Sequence, residues 1–242
     1  MDGNHKPYDW AASFARIEDI LDQPPGQFEE TDALPDRDRL TFTNGFNAPC
    51  SALFVDIRDS SGLTAEYTRP ELAKLYRAFI SEMVAVLNGH PRVREVNIVG
   101  DCVWAVYNTP QKTNLREVFS VAARANSLMK MLNKALTARG YEQVRVGMGV
   151  DYGRALMIKA GYSGSGLNDV VYMGDVVNRA SHLAHEAGRD GRPPVFIGPV
   201  FHRNLDDHRK SLTHERTISG LGKVFASNPI RSEIEEWMDS NL

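Results

Sequence analysis

Apolar and polar positions alternate along this chain with two periods, and the switches between them lay out its elements. Leu53, Phe54 and Val55 form an apolar run that ends in Asp56, and the polar turn Arg58-Asp59-Ser60-Ser61-Gly62 follows. A short apolar run closed by a turn signal predicts a buried strand, here Ser51–Val55. Two further apolar runs within Val96–Tyr107 flank Gly100-Asp101 and predict a β-hairpin with Asp101 at its tip. Between these strands the period changes to that of a helix. Pro70–Asn88 carries Leu72, Leu75, Tyr76, Phe79, Ile80, Met83, Val86 and Leu87 on one stripe, with Pro70 in the first turn and Gly89 after the last. Asn114–Leu136 repeats the pattern through Val118, Val121, Ala122, Ala125, Leu128, Met129 and Leu132.

Strands are then predicted over Val144–Val150, Ala155–Lys159 and Val170–Met173, with a Gly/Ser loop at Gly161–Asn168. Gly147 and Gly149 inside a strand mark a place where a second backbone comes close. A helix over Val176–Ala187 and an edge strand at Val195–Ile197 follow, whereas Leu205–Glu215 and Leu221–Phe225 give no clear pattern. At the ends, Tyr8–Asp22 has Trp10, Phe14, Ile17 and Leu21 at helical spacing, which predicts an amphipathic helix docked on the domain or on a partner subunit. Gln23–Arg39, rich in Pro, Asp and Glu, reads as a linker or extended arm, and Ile230–Met238 as a terminal helix. Hairpins mixed with helices, without regular βαβ units, predict an α+β fold with a mixed sheet and helices on one face. The expected division is an N-terminal helix and arm (1–45), a main domain (46–227) and a C-terminal tail (228–242).

Composition narrows the function classes. A net charge of −3 over 242 residues gives no general drive toward nucleic acid or anionic lipid. The two cysteines, Cys50 and Cys102, fall in or near core strands and read as reduced thiols. No apolar run is long enough for a bilayer, and Met1–Trp10 lacks a signal-peptide core, so a cytoplasmic protein is expected. The candidate chemistry lies in the two aspartates. Asp56 and Asp101 each end an apolar strand, and two carboxylates on adjacent strand ends can share a pair of divalent cations. Backbone amides at the start of the helix after Asp56 suit an anion. Paired metals beside an amide nest suit phosphoryl transfer.

Four stretches stand in the order and spacing of a known family: Phe54-Val55-Asp56-Ile57-Arg58, Ile98-Val99-Gly100-Asp101, Val146-Gly147-Met148-Gly149-Val150, and Val171 through Leu183. Over about residues 48–225 the chain resembles the class III nucleotidyl cyclases. The resemblance implies a ferredoxin-like, homodimeric catalytic domain whose shared sites each hold two Mn2+ or Mg2+ ions. Asp56, Asp101 and the backbone carbonyl of Ile57 match the metal ligands, and Asp59, Ser60 and Ser61 the phosphate cradle. Asn178 matches the residue that orients the ribose. His182 stands where relatives carry a transition-state arginine, and Lys223 lies near their triphosphate lysine. The base positions hold Asn97 and Val171 in place of the lysine and aspartate of adenylate cyclases, with Asp169 two residues from Val171 as the alternative register. An Asn offers both donor and acceptor to uracil or cytosine.

Asp56-Ile57-Arg58-Asp59-Ser60-Ser61 resembles the variant found in the pyrimidine cyclases of bacterial antiphage (Pycsar) systems. That resemblance implies conversion of UTP to cyclic UMP, read by a separate cyclic-nucleotide-sensing effector, with no nucleic acid or membrane partner. Formation of cyclic CMP, an adenylate or guanylate cyclase with an altered pocket, and a nucleotide-binding module without catalysis remain as alternatives.

Overall fold

The computed structural model describes residues 3–24 and 28–242; residues 25–27, inside the expected linker, fall outside the described part. One mixed sheet organises the chain in the order β3-β4-β2-β5-β7-β9-β8, with β1 added beside β2 and β6 beside β5. Its centre is β2 (Gly45–Ile57), antiparallel to both β4 (Cys102–Asn108) and β5 (Val146–Tyr162). β3 (Val93–Val99) forms the expected hairpin with β4, while β1 (Phe28–Glu30) and β7 (Val195–Ile197) supply the parallel pairings.

Both faces of β2 are covered, so it reads as a continuous apolar run and not as an alternation. Leu53, Val55 and Ile57 enter one core with α3 (Arg69–Asn88) and α4 (Leu115–Thr137). Ala52 and Phe54 enter a second core with Val176, Ala180 and Ala184 of α5 (Asp175–Glu186). The two long helices thus share one face as the pattern implies, and α5 lies on the other. α3 starts cleanly because the Glu71 carboxylate accepts from the Thr68 backbone N–H at 2.9 Å, closing a capping box.

The two strands expected at 144–150 and 155–159 are one, β5. Asp151, which interrupts the apolar pattern, is buried there, and burial pushes its carboxyl up to about 6. β6 (Leu167–Met173) returns along the far half of β5. The unclear stretches resolve into α7 (Asp207–Ser211) after α6 (Pro199–Arg203), and a hairpin of β8 (Thr213–Ile218) with β9 (Gly222–Ser227). α8 (Ser232–Asn241) closes the chain against α4 through Glu235, which accepts from Lys130 at 2.9 Å.

The N-terminal segment is more than a linker. Leu34 and Leu40 are buried in the second core, and the Leu34 N–H donates to Asn108 Oδ1 at 3.0 Å. Ahead of it, α1 (Trp10–Leu21) leaves Trp10, Phe14, Ile17 and Leu21 exposed. It meets the domain only lightly, with Arg16 over the Tyr162 ring at 4.8 Å. None of the described helices is long and apolar enough to cross a membrane.

Candidate active site

Asp56 stands at the end of β2, opposite Cys102 on one side and Gly147 on the other. The Gly100-Asp101 turn next to Cys102 brings the second aspartate alongside. Gly100 adopts φ 61°, which glycine tolerates at no steric cost. Burial raises the Asp56 carboxyl above its usual range; Arg58 pulls it back, and the neighbouring Asp101 raises it again. Two carboxylates that feel each other at adjacent strand ends fit hard, oxygen-seeking cations. Among the described residues no three His, Cys, Asp or Glu side chains form a self-sufficient metal cage, so a bound polyphosphate and backbone oxygen would complete any coordination. The Ile57 side chain points the other way, into the first core, so only its backbone carbonyl remains available on this side.

Arg58 is the organiser that the sequence did not single out. Its side chain is buried, donates to Asp56 Oδ2 at 2.5 Å, and reaches the His185 carbonyl at 2.6 Å. It thereby ties Asp56 to the C-terminal end of α5. Gly147 leaves that space open, since a Cβ there would lie 3.0 Å from Arg58 Cζ. The Asp-Ile-Arg run was the available signal, because an arginine inside a strand-end motif needs a buried partner.

Asp59 takes a left-handed conformation, φ 56°, and its Oδ2 accepts from Arg145 at 2.8 Å. That turn delivers Ser60 and Ser61 at the start of α2 (Ser60–Glu66). Tyr76 of α3 feels both Ser60 and the charge of Asp101, so the α2 start and the Gly100-Asp101 turn share a neighbour.

Asn178 and His182 both lie exposed on one side of α5. His182 lines a cavity of about 540 Å³ with His185, Glu186, Ser219 and Leu221. The adjacent Arg179 cannot replace the missing arginine. It points to the other side, donates to the Leu221 and Lys223 carbonyls at 3.1 and 3.4 Å, and faces buried Asp151. Lys223 is paired with Glu215 at 3.0 Å and does not line the His182 cavity. Within one chain Asn178 lies away from Asp56. Asp56 sits beside His185, seven residues beyond Asn178, which is roughly 10 Å along a helix axis at 1.5 Å per residue.

On β3, Asn97 lines a cavity of about 410 Å³ that also takes in Asp169 of β6. Val171 stays exposed at the surface and does not line it, so the alternative register brings the polar residue to the pocket.

A model of the adenylate and guanylate cyclase catalytic domain matches residues 46–215. The chain belongs to that family. It is a nucleotidyl cyclase of the class III type. It is 37% identical to a uridylate cyclase of Gulbenkiania mobilis over the whole of both chains. It is 34% identical to a uridylate cyclase of Treponema porcinum, over 97% of this chain and 82% of that one. Solved structures share the fold. The adenylyl cyclase CyaB of P. aeruginosa matches at TM-score 0.63 and 20% identity, over 78% of this chain and 97% of its own. A class III adenylyl cyclase-like ATP-binding protein from Pseudomonas aeruginosa matches at TM-score 0.70 and 21% identity, over 93% of this chain and 48% of its own.

Proposed function

We propose that this cyclase converts UTP to 3′,5′-cyclic UMP and pyrophosphate in the cytoplasm, as a signal for a separate effector in antiphage defence. The near full-length identity with two uridylate cyclases carries this reading. The paired aspartates support turnover, because a module that only binds nucleotide has no need of them. In the reaction the ribose 3′-oxygen attacks the α-phosphorus, the bond to the β-phosphate oxygen breaks, and pyrophosphate leaves. Asp56 and Asp101, with the Ile57 carbonyl, would hold two Mn2+ or Mg2+ ions, which lower the pKa of the 3′-hydroxyl and neutralise phosphate charge. The amides of Asp59, Ser60 and Ser61 bind the β- and γ-phosphates, and Asn178 orients the ribose. His182 donates to the phosphate oxygens, a weaker form of the arginine's role, because an imidazole offers fewer donors than a guanidinium.

The separation of Asn178 from Asp56 along α5 favours a two-fold dimer in which each nucleotide touches both chains. Mixing Asp56→Ala chains with Asn178→Ala chains should then restore activity that neither variant has alone. Random pairing gives half heterodimers with one intact site of two, or about a quarter of wild-type turnover. Dimers that form without recovery would argue for a site built within one chain.

Incubation of the full chain with each of the four NTPs and Mn2+, with products identified by mass spectrometry, tests the substrate. Cyclic UMP as the main product is expected. Cyclic CMP, cyclic AMP or cyclic GMP in its place would reassign the base, and no product would make the chain a binding module.

A further inference from the structure

We propose that Arg37 and Asp169 together read the Watson–Crick edge of uracil and so make this cyclase prefer UTP to CTP. Arg37 precedes residue 46, where the family match begins, and yet it lines the cavity beside Asn97. The buried side chains of Leu34 and Leu40 flank it and hold its segment against the sheet. Its Nη2 donates to Asp169 Oδ1 at 2.7 Å, and its Nη1 lies 3.7 Å from Glu95 Oε1. Glu95 has only 7% of its side chain exposed, and its Oε2 has no hydrogen-bond partner among the described residues. That buried carboxyl beneath the guanidinium fixes where it sits, while Arg37 itself stays half exposed. Asp169 spends Oδ1 on Arg37 and on the Val170 N–H at 2.8 Å, which leaves Oδ2 for a ligand.

The pattern of donors and acceptors matches one pyrimidine and opposes the other. Uracil presents an acceptor at O4, a donor at N3–H and an acceptor at O2. A guanidinium donates to the first, a carboxylate accepts from the second, and the Asn97 amide donates to the third. Cytosine presents an amino group to the guanidinium and a lone pair to the carboxylate, so both contacts turn repulsive. A site built on hydrogen bonds rejects the mismatched base far better than one built on shape alone.

The inference rests on the proposed cyclisation of UTP, with Asn97 at the base position that the family resemblance implies, and the test separates the two. Full-length wild type, Arg37→Ala, Asp169→Asn and Arg39→Ala are assayed with UTP and with CTP, and kcat/KM is compared alongside the melting temperature. Arg39 sits on the same short turn but bonds Glu29 instead of the cavity. For Arg37→Ala, the ratio of UTP to CTP efficiency should fall at least about tenfold, the equivalent of one charged hydrogen bond. Asp169→Asn, which puts an amide donor opposite N3, should raise CTP use, and Arg39→Ala should leave the ratio unchanged. Equal losses for both nucleotides, or an unchanged ratio in Arg37→Ala, overturns the inference while cyclic UMP synthesis by wild type still supports the proposed function. A wild type that makes no cyclic pyrimidine overturns both.

Discussion

Asp101→Asn is expected to lower turnover about 10³-fold and to leave the fold intact. The side chain sits on a turn at partial exposure and enters neither hydrophobic core, so its loss removes no packing. Asparagine keeps the size and suits a turn, but it removes the charge that a cation pair needs. A lost carboxylate ligand in a metal-assisted phosphoryl transfer costs about 4 kcal/mol of transition-state stabilisation, which is about three decades in rate. The substitution also removes the neighbouring charge that helps raise the Asp56 carboxyl, so Asp56 should ionise more readily in the variant. Product formation from UTP and Mn2+, with circular dichroism to monitor folding, checks the result. Activity within tenfold of wild type would mean that Asp101 is only a turn residue.

Gly149→Ala is expected to cost about 2–4 kcal/mol of stability. A Cβ at this position would fall 2.0 Å from the Ala180 carbonyl oxygen and 2.3 Å from the Ala184 nitrogen. Both are backbone atoms of α5, which packs directly on β5, so neither can swing aside. For a chain of this size the loss corresponds to about 5–15 °C in melting temperature. Gly62→Ala is the matched control. It has nothing within 4 Å and lies inside α2, so it should be neutral or slightly stabilising. Equal melting of the two variants would show that α5 can lift from the sheet.

These two residues also show what the sequence makes legible. Gly147 and Gly149 announce a close backbone approach because no other residue type would be tolerated at such distances, and the approach is α5. The β3–β4 hairpin is equally plain, since two apolar runs around Gly100-Asp101 leave the chain no other way to turn. β5 is harder to see. Asp151 and Arg154 break its apolar pattern, although the strand runs on because Asp151 is buried against Gly198 and opposite Arg179. The roles of Arg58 and Arg37 are hidden for another reason. Each is one charge among many in the sequence, and its meaning comes from partners 127 and 132 positions away. Local periodicity carries no information about such pairings. β8 is obscure because an exposed edge strand shows little hydrophobic contrast, as its run of exposed residues illustrates.

The segment bearing Leu34, Arg37 and Leu40 has a consequence for how such enzymes diverge. The same few positions close one hydrophobic layer and place a charged group at the cavity beside Asn97. Drift in base preference therefore draws on residues that also keep the sheet covered. Transplanting residues 46–215 alone into another chain would carry Asp56 and Asp101 across and leave Arg37 behind.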